Sequence, residues 1–166
     1  MEKRGSLKGQ KMGDKERLSI LLKKAMTYCA GKECCRSDMS QKLDSWSADT
    51  EEAEKIISQL IKENFINEER YASAFVRDKF RYNKWGRVKI SAALRLKKIP
   101  SDIISGALET LDEQAYREAV VKIISDHRRT VKAKNQYDLK GKLLRYGLSK
   151  GFESHLLYDI LGDIFK

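Results

Sequence analysis

An internal repeat constrains this chain more than any other feature. The segment KISAALRLKKIPSDIISGAL, from Lys89 to Leu108, slides onto KLLRYGLSKGFESHLLYDIL, from Lys142 to Leu161, without a gap over twenty residues. Ile90 falls on Leu143, Ile99 on Phe152, Ser101 on Ser154, Ile103 and Ile104 on Leu156 and Leu157, and Leu108 on Leu161. In the second half of each copy apolar residues stand at i, i+1, i+4, i+5, which draws one wide stripe on a helix. No stretch alternates as a strand would. Each copy therefore reads as helix, short turn, helix.

A third copy comes first in the chain. Met39 and Leu43 match Ile90 and Leu94, while Ile56, Ile57 and Ile61 match Ile103, Ile104 and Leu108 if the first turn is four residues longer, the surplus lying in DSWSADTEEAE. Another amphipathic helix precedes each copy, over 16–29, 68–83 and 113–133. The expected fold is all-α, with three tandem three-helix repeats forming an elongated, curved helical array. Its parts are a flexible basic tail at 1–14, an acidic first repeat at 15–66, and basic second and third repeats at 67–111 and 112–166. One triplet can bury only a marginal core, so neighbours are expected to stack. Border signals agree: Pro100 suits the first turn of its helix, Gly151 can close the helix 136–149 in a left-handed conformation, and Asp49 to Glu52 supply a cap and negative charge.

Catalytic constellations are not recognisable. His127 and His155, the two histidines, read as surface imidazoles without a fixed carboxylate or cysteine neighbour. GKLLRYGLSKG, from Gly141 to Gly151, falls inside a helical pattern and lacks the Gly-Lys-Ser/Thr order of a phosphate loop. Cys29, Cys34 and Cys35 are an odd set with two adjacent members, a poor disulfide framework without zinc-site spacing, and are expected as buried small side chains in a reducing, cytoplasmic setting. No apolar run approaches a membrane span and no apolar segment follows the basic start. A protein without catalytic activity, metal or cofactor is expected.

Charge is the remaining signal. Lys and Arg number 34 against 24 Asp and Glu, a net +10, which makes a polyanion the first partner class to consider. Between Arg77 and Lys98 nine basic residues face Asp78 alone, and between Lys122 and Lys150 nine face Asp126 and Asp138. Residues 32–70 instead hold six basic and ten acidic residues. Arg77, Arg81 and Lys84 recur at helical spacing, and Arg87, Ser91, Arg95 and Lys98 are expected to form a second polar stripe opposite Ile90 and Leu94. Between them, RYNKWGR interleaves Tyr82 and Trp85 with cations, a mixture suited to stacked bases or to an acidic protein surface. Composition leaves both partners open.

FINEERYASAFVRDKFRYNKWGRVKISAALRLKKIP resembles the middle repeat of the RecX regulatory proteins through Phe65, Glu68, Glu69, Arg70, Tyr71, Ala72, Gly86 and Ile90. KLLRYGLSKGFESHLLYDIL resembles their closing repeat, with Lys150, Gly151 and Phe152 in the Arg/Lys-Gly-Phe position. The resemblance extends over about 16–166. Asn67 and Glu68 stand where the family often has aspartates, a mild change, and Lys98 stands where a glycine commonly precedes the isoleucine, which implies a different helix-end conformation. The resemblance implies a monomeric, non-enzymatic modulator of the RecA recombinase that lies along the RecA filament on single-stranded DNA, contacts double-stranded DNA as well, and limits recombinase, ATPase and coprotease activities in DNA repair and the SOS response. The expected contact residues are Arg77, Arg81, Lys84, Trp85, Arg87, Arg95 and Lys98, supported by Arg128, Arg129, Lys142 and Arg145. The alternative is a helical-repeat protein that binds DNA or RNA directly, with no recombinase.

Overall fold

The computed structural model describes residues 13–166. Described residues form nine α-helices and no strand: α1 (Asp14–Ala30), α2 (Arg36–Ser45), α3 (Thr50–Lys62), α4 (Glu68–Asn83), α5 (Arg87–Leu96), α6 (Ser101–Glu109), α7 (Glu113–Thr130), α8 (Gln136–Ser149) and α9 (Ser154–Ile164). The tail expected over 1–14 lies outside the described residues apart from Gly13 and Asp14, which cap and open α1. The chain divides between Ile66 and Asn67 into two compact units, so α4 to α9 share one body.

The starts of α2, α3, α4, α7 and α8 are fixed by side chains that satisfy amide groups left without intrahelical partners. Asp49 Oδ1 accepts from the Glu52 amide at 2.8 Å while Glu52 Oε2 accepts from the Asp49 amide at 2.9 Å, a reciprocal capping box. Asn67, Asp112 and Asn135 cap α4, α7 and α8 through the amides of Arg70, Ala115 and Asp138. Asn67 thus does the capping an aspartate would do, which explains why that departure from the family pattern is mild.

The middle helix of every triplet ends in the same way. Ser47, Lys98 and Gly151 take φ of 60°, 59° and 85°. In each case the amide of that residue donates to the carbonyl three positions back, Asp44, Arg95 or Leu148, and the next amide donates five back, to Leu43, Leu94 or Gly147. This is the Schellman closure. Two expectations change as a result. Lys98 adopts the left-handed conformation a glycine would have taken, so the helix end is conserved despite the residue. The first turn is not four residues longer either: Ser47 to Asp49 matches Lys98 to Pro100, and the surplus is an extra turn at the end of α3. Leu60 is fully buried and Ile61 is 38% exposed, so Leu60 occupies the inward position expected for Ile61. A four-residue slip hides in sequence because it nearly preserves the helical face.

The first unit packs Leu21, Ala25 and Cys29 of α1 against Met39 and Leu43 of α2 and Ile56, Ile57 and Leu60 of α3. All three cysteines are buried, and none is in a disulfide. Burial and a bond with Cys29 push the Cys34 thiol up to about 12, and Cys35 Sγ caps α2 by accepting from the Asp38 amide at 3.4 Å. In the second unit Tyr116, Val120 and Ile124 of α7 close on Leu143 of α8 and on Phe152, Leu157 and Ile160 around α9, with Phe80 of α4 packed against them. Helix α7 stops at Thr130, short of the expected residue 133.

Candidate polyanion interface

A junction between the second and third triplets decides which cations remain available. The amides of Gly86 and Val88, at the start of α5, donate to the carbonyls of Lys150 and Gly151, just past the end of α8, at 2.7 and 3.0 Å. The positive end of one helix thus meets the negative end of another, and orphan groups of both are satisfied. The approach requires two glycines: a Cβ on Gly86 would sit 2.3 Å from the Gly151 carbonyl oxygen, and one on Gly151 would sit 2.2 Å from Lys89 Cβ.

Arg87 belongs to this junction. Its amide donates to Tyr116 Oη at 3.1 Å, and its guanidinium reaches Glu113 at 2.9 Å and Glu153 at 3.4 Å while lying 4.0 Å from the Tyr116 ring centroid. Tyr116 Oη donates to Glu153 Oε2 at 2.7 Å. Burial, with that carboxylate as acceptor, holds the Tyr116 hydroxyl well above the ordinary phenol range. Only 21% of the Arg87 side chain is exposed, and Ser91, expected beside it on a polar stripe, is buried. The outward face of α5 instead carries Val88 and Leu96, 55% and 83% exposed, with exposed Ala92 between them. The stripe fails because Arg87 finds two carboxylates from α7 and the α8–α9 turn, contacts that local spacing does not encode.

Arg77, Arg81 and Lys84 are exposed along α4. They line an open groove of about 510 Å³ together with Lys122 of α7, over a floor of Phe80, Leu111 and Ile123. Its acid, Asp126, is paired with Lys122 at 2.7 Å and with Arg129 at 3.8 Å. Lys122 was not among the expected contacts because it sits on another helix, and no sequence spacing links it to α4. Trp85 is half-buried at the turn between α4 and α5, with the ammonium groups of Lys79 and Lys89 at 4.9 and 4.7 Å from its ring. Tyr82, 70% exposed beside Arg81, is the accessible aromatic there.

The other expected contacts are distributed more widely. Arg95 is exposed in the last turn of α5, and Lys98 follows it at the left-handed joint. Arg128 and Arg129 end α7, with Arg128 5.0 Å from the Phe165 ring. Lys142 and Arg145 line a second groove of about 670 Å³ along α8 and α9. Lys142 is tied to Asp138 at 3.1 Å and to the Lys132 carbonyl at 2.7 Å, whereas Arg145 is exposed. His155 is exposed, and His127, partly exposed, stacks on Tyr146 with ring centroids 3.7 Å apart. Among the described residues no cluster of three or more His, Cys, Asp or Glu is placed to hold a metal, and no helix is long and apolar enough to cross a membrane.

Residues 67–108 match the family model described as RecX, second three-helix domain. The chain is 31% identical over 129 residues to a Regulatory protein RecX of Clostridium beijerinckii, covering 76% of this chain and 60% of that protein. A Regulatory protein RecX of Clostridium botulinum (strain Eklund 17B) is 31% identical and is 57% covered. The chain therefore spans about 60% of the length of these relatives. Its fold is that of the crystal structure of RecX from Lactobacillus salivarius, with TM-score 0.76 at 23% identity over 88% of this chain and 95% of that one.

Proposed function

Because the chain belongs to the RecX family, we propose that it is a non-enzymatic cytoplasmic regulator that binds the RecA filament on single-stranded DNA and inhibits its recombinase, ATPase and coprotease activities. The observation that supports this reading is the α4–α7 groove, where Arg77, Arg81, Lys84 and Lys122 converge and the acid lining it is already paired. Clustered cations over an apolar floor suit a surface that must meet both acidic protein and phosphate. Arg95, Lys98, Arg128 and Arg129 extend the cationic surface, while Arg87 acts as a positioning residue within the junction.

The test is RecA ATP hydrolysis on single-stranded DNA, titrated with this protein from far below to equal stoichiometry. Inhibition well below one per RecA supports filament control. Inhibition only when the protein coats the strand refutes it and leaves a helical-repeat protein that binds nucleic acid directly. The triple variant Arg77→Glu, Arg81→Glu, Lys84→Glu is expected to lose inhibition while keeping its helicity. It is also expected to flatten the salt dependence of single-strand binding, by a slope of about 2 if three phosphate contacts are lost.

A further inference from the structure

Five of the seven tyrosines have their rings engaged: Tyr28 by Trp46, Tyr71 by Phe75, Tyr82 by Arg81, Tyr116 by Phe80 and Tyr146 by His127. Tyr137 and Tyr158 differ. They are 89% and 63% exposed, and both line the α8–α9 groove. Lys134, Lys140 and Arg145 line it too, above Leu144 and Leu161. The acid in its lining, Asp138, already accepts from the Lys134 amide at 2.9 Å and pairs with Lys142 at 3.1 Å.

We propose that the α8–α9 groove is a binding site for single-stranded nucleic acid, with bases stacked on Tyr137 and Tyr158 and phosphates held by Lys134, Lys140 and Arg145. Aromatic faces open to solvent and flanked by cations are what a strand requires, because every base offers a π-face and every linkage a negative charge. An acidic peptide would use the cations but has no comparable use for two open rings. The site deepens the filament reading by naming where exposed bases would lie, yet it does not depend on the recombinase.

The experiment measures anisotropy of a labelled oligothymidylate, and of an abasic strand of equal length, against the full chain with no RecA present. Wild type is expected to bind the thymidylate at least about tenfold more tightly than the abasic strand, the scale of one lost base stack. Tyr137→Ala with Tyr158→Ala is expected to erase that difference, whereas Tyr137→Phe with Tyr158→Phe keeps it. The exposure of both rings predicts unchanged helicity. Equal affinity for the two strands overturns the proposal, as does an alanine double variant that still prefers bases. Displacement of the strand by oligoglutamate at matched charge overturns it in favour of a protein segment. With no RecA in the assay, failure here leaves the filament reading standing, and failure of the filament titration leaves this site standing.

Discussion

The ends of α5 and α8 are one joint built from different residues. Lys98 and Gly151 share a left-handed backbone and the same pair of closing hydrogen bonds, but their surroundings differ. Lys98 is exposed, so its cost is only the crowding between its own Cβ and the backbone. Gly151 is buried against Lys89, with no room for a methyl group. The comparison separates two reasons for a glycine: conformation asks for it at both joints, and a neighbouring helix demands it at only one.

Breaking the demanding joint carries the largest expected effect. Gly151→Ala should cost about 3 kcal/mol or more by urea unfolding, because a methyl group at φ 85° would meet Lys89 Cβ at 2.2 Å and its amide at 2.5 Å. Arg87→Ala should cost about 2 kcal/mol, since it removes the counter-charge of Glu153 in a half-buried site and leaves Tyr116 Oη as that carboxylate's side-chain partner. Combining the two should cost less than their sum, because each opens the same junction. Additivity would mean that the network and the close approach are independent.

Alkaline pH probes the same region more gently. The raised Tyr116 hydroxyl keeps its proton in the folded state while the unfolded phenol ionises near pH 10, so folding stability should fall as pH rises above about 10. Tyr116→Phe should flatten that decline, at a cost of about 1 kcal/mol near neutrality for the lost bonds to Glu153 and the Arg87 amide. The smallest effect sharpens the comparison from its other side. Lys98→Gly should stabilise by about 0.5–1 kcal/mol, since the left-handed crowding is relieved and no contact intervenes. Destabilisation would show that the lysine side chain does more than tolerate the turn.

The repeat made the helices legible because the apolar faces of α5 and α6 recur in α8 and α9 at a fixed offset and the caps at Asp49 and Gly151 are chemical signals. The four-residue placement of the extra length was not legible, since α3 presents nearly the same face after one added turn. Nor was the fate of Arg87. Spacing put it on a stripe with Arg95, but Glu113 and Glu153 lie 26 and 66 residues further along the chain. The α4 row was readable as a row. Its partner Lys122 was not, because a groove between helices is a property of packing. His127 and Trp85 were obscured in the same way, each by cross-helix or cross-turn neighbours with no local signature.

The head-to-tail meeting of α5 and α8 also sets an order of assembly. The amides of Gly86 and Val88 find their acceptors more than 60 residues later, at Lys150 and Gly151, so the start of α5 waits on loop closure over that span, an entropy cost met before any contact repays it. A chain ending after the second triplet would leave those amides to water and Gly86 without its counterpart. The second unit should therefore gain its protection from hydrogen exchange in a single late step, with the Gly86 and Val88 amides among the last to become slow.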